Sequence, residues 1–253
     1  MMEVEPIADS PALIVEDALV IADLHLGIEL EYRKKGVYVE KQSVRLAKDV
    51  ANMAEEYGIR KVIVIGDIKH MIGCWESGIN DVKAFYNVLS SRGISLHLIP
   101  GNHDGGLYAN LGGKIYFLPP RGVVYKGVAM VHGHAWPSHQ VMDADILIMG
   151  HLHPAIELRD GMGSIDVVPC WVRARVNADI LTKYYEGGND SMEVIIIPAF
   201  NPLIRGVCIN TEDYHLGPLL SSGMIDVKDG DVHLLDGAYL GKVSNLRYGC
   251  NGR

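Results

Sequence analysis

The chain has 253 residues, 48% hydrophobic and 21% charged, with 31 acidic against 23 basic side chains and a net charge of −8. A chain of this size buries roughly 73% of its unfolded surface, and the balance is that of a globular protein, which excludes a disordered chain, a collagen-like repeat and a disulfide scaffold. The acidic excess argues against a protein held to nucleic acid by a basic face alone, although divalent cations at a carboxylate-rich site would change the sign of the local field.

Met1 to Ser10 carries acids where a secretory signal needs bases and an apolar core. The longest apolar runs are about eight residues, whereas a membrane span needs about 20. A cytoplasmic protein with no membrane partner is expected. Five short apolar runs each end in polar residues: Leu19–His25, Val62–Asp67, Leu96–Asp104, Val128–His134 and Ile146–His153. Runs rich in Val and Ile and stopped by Gly or Pro read as buried strands. Open α/β sheets place ligand sites just past such strand ends.

After the first run, Val44, Ala47, Val50, Ala51, Ala54 and Tyr57 recur at helical spacing across Glu40–Tyr57, and Gly58 stops the pattern. After the second, Val82, Phe85, Tyr86 and Leu89 form a stripe over Asn80–Arg92, with Asn80 as cap and Gly93 as stop. Strand and helix alternate through residue 104, which predicts parallel pairing with right-handed crossovers. Beyond Lys114, strand runs join through Lys126-Gly127, Asp160-Gly161 and Asp236-Gly237, the grammar of antiparallel hairpins. Residues 177–192 and 210–223 read as loops or insertions. The sum is an α/β fold, a two-layer β-sandwich of mixed sheets flanked by helices. One domain over residues 1–253 is expected, with residues 154–253 completing the second, mostly antiparallel sheet. Cys74, Cys170, Cys208 and Cys250 stand too far apart for a CxxC pair and are expected as free, mostly buried thiols.

Seven of the 11 histidines fall in the strand-end clusters: His25, His70, His103, His132, His134, His151 and His153. Asp23, Asp67, Asn102 and Asp104 accompany them. A lone His is usually a surface or satisfied core residue, but seven at one structural position point to metal. Imidazole with carboxylate suits divalent manganese, iron, cobalt or zinc. The pairs Asp23/His25, His132/His134 and His151/His153 are two residues apart, so both members can turn to one side of a strand end. Structural metal sites close with Cys and His, whereas a carboxylate-rich site stays open.

The motifs Asp23-x-His25, Gly66-Asp67-x-x-His70, Gly101-Asn102-His103-Asp104, His132-Gly133-His134 and Gly150-His151-x-His153 occur in the order of the calcineurin-like metallophosphoesterases. Over residues 19–153 the chain resembles that family. The resemblance implies the same sandwich and two divalent cations, manganese first, with iron, cobalt or zinc as alternatives. It implies that Asp23, His25, Asp67 and His153 hold one cation, and that Asp67, Asn102, His132 and His151 hold the other, with Asp67 bridging. His134 would stand behind the ligands or face solvent. It further implies that His103 faces the substrate and protonates the leaving oxygen, with Asp104 orienting it.

The protein-phosphatase branch carries an Arg after its second block and another before Asn-His. Here that block is Gly66-Asp67-Ile68-Lys69-His70, and Pro100 precedes Gly101. His70, three residues after Asp67, is instead the spacing of the SbcD-type repair nucleases, which implies a role in positioning a phosphodiester. With Pro198-Ala199-Phe200-Asn201-Pro202 added, the chain resembles archaeal SbcD-related phosphoesterases and the bacterial ligase-associated endonucleases called PdeM. The implied function is a dinuclear-metal phosphodiesterase, a DNA or RNA nuclease, with Asn102, His70 and Arg33 on the substrate. The alternative is a small-substrate phosphodiesterase or phosphatase acting on cyclic nucleotides or related metabolites; a scaffold without activity ranks third, because the ligand set is complete. A homodimer and an unidentified helicase or ligase-pathway partner are further expectations. Arg33, Lys34, Lys35 and Lys41, or the alternating Arg173 and Arg175, could track a phosphate backbone, with solvated charge the plainer reading. Trp75 and Trp136 could stack a base, with packing the plainer reading.

Overall fold

A computed structural model of the chain describes residues 4–72, 75–211, 214 and 216–247, with backbone alone at 75–77. The first sheet takes β1 (Val4–Pro6), β2 (Leu13–Val15), β3 (Ala18–Ala22), β4 (Lys61–Ile65), β5 (Ser95–Ile99) and β6 (Tyr116–Phe117) in chain order. β3 to β6 run parallel, while β1, β2 and β3 pair antiparallel. The crossovers carry α1 (Glu29–Lys34), α2 (Ser43–Glu56), α3 (Trp75–Ser91) and α4 (Leu107–Leu111). The parallel strands are buried on both faces, so their two-residue period divides the side chains between two cores. Leu19, Ile21, Val62, Val64, Leu96 and Leu98 pack with Ala47, Val50, Val82 and Phe85 of the helices. Val20, Ala22, Ile63 and Ile65 face the second sheet.

That sheet holds β7 (Val123–Tyr125), β8 (Val128–Val131), β9 (Ile146–Met149), β10 (Pro154–Arg159), β11 (Ile165–Arg175), β12 (Glu193–Ile196), β13 (Val207–Cys208), β14 (Asp231–Leu234) and β15 (Tyr239–Lys242). Their order is β13-β10-β11-β12-β9-β8-β7, with β14 paired to β11 and β15. Val128, Met130, Ile148, Trp171 and Ile195 close the core between the sheets; full burial of a Val, Leu or Ile contributes about 1.5–3 kcal/mol.

The mixed sandwich is as predicted, and the exceptions have local causes. β8, β9 and β12 form a parallel centre to the second sheet, because α5 (His139–Met142) joins β8 to β9 as a crossover rather than a hairpin. Residues 177–192 and 210–223 are not merely loops. They contain α6 (Ala178–Tyr184), with the Asn177 side chain accepting from Ile180 N, and α7 (Gly217–Ser221). Leu181, Leu219 and Leu220 of these helices cover Val131, Leu147, Met149 and Val194 on the outer face. Neither helix reaches the 10–12 residues at which helical periodicity becomes legible. α2 begins at Ser43 instead of Glu40, since Glu29 Oε1 accepts from Gln42 N at 2.7 Å, and Val44 and Tyr57 of the expected stripe are exposed. α3 begins at Trp75, which puts Asn80 inside the helix and not at its cap. The hairpin turn at Lys126 and Gly127 has φ of 52° and 89°, both positive as its twist requires.

Cys170 and Cys208 are free and buried. Cys74, Cys250 and the Trp75 side chain lie outside the described residues. Among the described residues no helix is long and apolar enough to cross a membrane.

Candidate metal centre

Each motif sits just past a strand: Asp23 and His25 after β3, Asp67 and His70 after β4, Asn102 to Asp104 after β5, His132 and His134 after β8, His151 and His153 after β9. The first two loops zip together, with His25 N donating to Asp67 O at 2.8 Å, Leu26 N to Ile68 O at 2.9 Å and His70 N to Leu26 O at 3.0 Å. Asp23, His25, Asp67, His151 and His153 all have positive φ, between 41° and 68°. Such backbone costs on the order of 1–3 kcal/mol per residue and persists only where the surroundings over-determine it. Gly66, at φ 72°, lies so close to the site that a Cβ there would fall 2.2 Å from His132 Nδ1.

The side chains converge. Asp23, His25 and His153 bring three ligand atoms within 4.8 Å of one another, and so do Asp67, His132 and His151. His25 Nε2 lies 3.4 Å from His153 Nε2 and 3.7 Å from Asp67 Oδ2. His132 Nε2 lies 3.4 Å from Asp67 Oδ2 and 3.3 Å from Asn102 Oδ1, while its Nδ1 faces the Ile65 carbonyl at 3.2 Å. Asp67 spends Oδ1 on His103 N at 2.9 Å and leaves Oδ2 among His25, His103 and His132. The floor of Asp23, His25, Asp67 and His132 is buried, and Asn102, His70, His103, His151 and His153 form the side that opens to solvent.

The electrostatics follow from burial. It pushes His25 down to about 3 against the pull of Asp23. It pushes His151 down to about 4, helped by the charge on His132. Both imidazoles are therefore in the neutral form that binds metal. His132 goes the other way, up to about 9, because its hydrogen bond to Asp67 and the carboxylates around it outweigh burial. His153 is raised beside Asp23 in the same sense. Burial would lift Asp23 and Asp67, but His153 and His132 respectively hold them below the usual carboxylate range.

One atom tests whether cations fit. Asp23 Oδ1 is buried and accepts no hydrogen bond, with His153 Nε2 at 3.2 Å and His132 Nδ1 at 3.6 Å. A buried, unsatisfied carboxylate oxygen is costly, and a divalent cation shared with imidazole nitrogens relieves it. The donor set of carboxylate, imidazole and amide oxygen, open on one side, fits two such ions.

Three expectations are corrected. Asp104 does not orient the His103 ring. Its oxygens accept from Gly101 N at 2.8 Å and Lys69 N at 3.2 Å, and His103 Nδ1 meets the His70 carbonyl instead. Burial, reinforced by Asp67, pushes Asp104 up to about 6. Arg33 stays outside the cluster on exposed α1, with its guanidinium 5.3 Å from the Tyr38 ring centroid. Arg173 and Arg175 lie at the opposite pole. They pair in register with Ile195 and Glu193 at the start of β12, whose other end meets Met149 on the way to His151, and Arg173 Nε donates to Glu193 Oε1 at 2.6 Å. Trp136 packs on Tyr184, ring centroids 4.4 Å apart, in the outer helical layer. The His134 ring stands 5.1 Å from that of His132, behind it.

Two supports escaped sequence reasoning. Glu31 Oε2 lies 3.2 Å from His70 Nε2. Asn201 Nδ2 donates to Leu24 O at 2.7 Å, and Phe200 N to Ala22 O at 2.9 Å, which bolts residues 198–202 onto the end of β3. The only signal for Asn201 was its place between two prolines; Glu31 had none.

Residues 18–160, more than half of the chain, match the family model for calcineurin-like phosphoesterases. The chain belongs to this family. It is accordingly a metal-dependent phosphoesterase, and its His and Asp groups are those that could hold the ions. Nuclease MPE of Pseudomonas putida shares the fold at 19% identity with a TM-score of 0.57, over 92% of this chain and 98% of that one. The phosphoesterase Yfce of E. coli is 14% identical with a TM-score of 0.37, over 89% and 97% of the two chains. An archaeal phosphodiesterase is 14% identical with a TM-score of 0.36, over 72% and 83%. No curated protein matches the sequence.

Proposed function

We propose that this phosphoesterase is a dinuclear-metal phosphodiesterase that cleaves nucleic acid, of the SbcD-related, PdeM-like branch. The observation that carries the reading is His70. Its Nδ1 lies 3.3 Å from His25 Nδ1, its ring stacks on His103 with centroids 5.9 Å apart, and Glu31 holds its Nε2. It thus stands on the open side, next to the acid and the ligands. No Arg follows Asp67 or precedes Asn102 in their motifs, so the doubly charged group of a monoester lacks the guanidinium clamp that suits it. A diester, with one charge and two arms, needs only a single donor of the His70 kind. The near full-length fold match to a nuclease supports the same reading.

Asp23, His25, Asp67 and His153 would hold one cation, and Asp67, Asn102, His132 and His151 the other. When bound, such a pair supplies positive charge for the phosphoryl oxygens and lowers the pKa of water. Manganese is the first candidate. The chain's own groups do the rest. The His70 carbonyl can only accept, so His103 Nδ1 carries a proton and the ring is held in one orientation. A second proton on Nε2 is then the one His103 delivers to the leaving oxygen. His70 and the Asn102 amide bind the diester.

The test is a panel of bis(p-nitrophenyl) phosphate, labelled single-stranded DNA and RNA, and cyclic nucleotides, with manganese, iron, cobalt or zinc. Cleavage of the labelled strands is expected. Turnover of cyclic nucleotides alone would assign the site to small substrates, and no turnover with metal bound would end the reading.

A further inference from the structure

A second cavity, of about 290 Å³, opens where β1 and β2 face β9, β11, β12 and β14. It shares no residue with the metal centre. Ile146 on its wall begins β9, and the other end of β9 leads to His151. Leu13, Trp171 and Ile195 of the wall belong to the core between the sheets, and Val4, Ile146 and Leu235 pack against that core. The cavity is therefore a corner of the sandwich interior with an outlet, rather than a dent in a polar surface.

Its polar groups have one bias. Trp171 is 5% exposed, and its indole Nε1 is buried without any acceptor. An indole N–H is a donor only, and buried ones ordinarily find a partner. Arg173 and His233 are the titratable side chains on the lining, and no carboxylate lines it, in a chain whose net charge is −8. Arg173 also serves Glu193, which tempers its charge without removing its remaining donors. An apolar chamber whose polar groups are donors selects a ligand with an apolar body and an anionic acceptor. Its volume lies at the lower end of ligand pockets, roughly 300–1,000 Å³, which limits the body to about one ring.

We propose that this cavity binds a small aromatic carboxylate, with its ring among Ile146, Ile195 and Trp171 and a carboxylate oxygen accepting from Trp171 Nε1. The proposal is independent of the nuclease reading.

The probe is benzoate, with benzylammonium and toluene as controls of the same size. Each is titrated into ¹⁵N-labelled protein as purified, following the tryptophan indole resonances, with that of Trp171 assigned by its loss in Trp171→Phe. Benzoate is expected to shift the Trp171 indole N–H saturably while leaving that of Trp136 in place, and benzylammonium to do nothing. Trp171→Phe keeps the ring and removes the donor, and should weaken benzoate binding at least tenfold. Ile195→Phe, which fills the chamber, should abolish the shift. A Trp171 resonance unmoved by benzoate, equal binding of benzylammonium or toluene, or full affinity in Trp171→Phe would each overturn the assignment.

Discussion

Gly101 and Gly105 flank the Asn102-His103-Asp104 run, and neither has positive φ. They differ in what a methyl group would meet. A Cβ at Gly101 would fall 2.2 Å from Asp67 Oδ1 and 2.6 Å from Asp67 N, whereas one at Gly105 would meet nothing within 4 Å. Ordinary contact begins near 3.4 Å, so in Gly101→Ala opening 2.2 Å to 3.4 Å drives the loop and Asp67 about 1.2 Å apart. One of the two clashing atoms is backbone, and Oδ1 is tied to His103 N at 2.9 Å, so no free rotation absorbs the shift. Overpacking of this kind costs about 1–3 kcal/mol of stability, and a misplacement of about 1 Å costs on the order of 10² in rate. Gly101→Ala is expected to lose about 10² in kcat on bis(p-nitrophenyl) phosphate and to bind less metal by elemental analysis, with its circular dichroism retained. Gly105→Ala should stay within about twofold of wild type. Wild-type rate and metal content in Gly101→Ala, or an equal loss in Gly105→Ala, would refute the role given to this approach.

Three further outcomes follow from the same geometry. His103→Gln should lower kcat by about 10²–10⁴, the range of general-acid contributions, with bound metal unchanged; loss of metal instead would make His103 a ligand. In the metal-free protein His132 is raised to about 9 and His153 is raised as well, so both carry protons near neutrality that a cation must displace. Affinity should therefore rise as pH climbs from about 6.5 toward 9, by up to about tenfold per unit for each proton released; calorimetry in buffers of different ionisation enthalpy counts those protons, and none released near pH 7 would contradict the assignment. Glu31→Gln keeps a hydrogen-bond acceptor for His70 but removes the charge. It should cut the rate on bis(p-nitrophenyl) phosphate severalfold and spare p-nitrophenyl phosphate, and an equal loss on both would make Glu31 merely structural.

Most of the site was legible because it is written in local code. Strands end where Gly or Pro interrupts an apolar run, and Asp23, Asp67, Asn102, His132 and His151 stand within three residues of such ends. The supports were not legible. Glu31 reaches His70 across 39 residues of sequence and Asn201 reaches Leu24 across 177, and neither pairing leaves a periodic trace. Asp104 shows the same limit in reverse: adjacent to His103 in sequence, it turns inward to two backbone amides.

By itself, the sequence determined the strands of the parallel half, the order of the five motifs and the ligand chemistry, since period, breaker residues and donor type act over a few residues. Only the tertiary structure decided which His nitrogen meets which carboxylate, that Arg173 and Arg175 sit at the far pole, and that α6 and α7 roof the second sheet. Those outcomes depend on strand register and on packing between segments more than a hundred residues apart, where a shift of one residue would send each side chain to the other face.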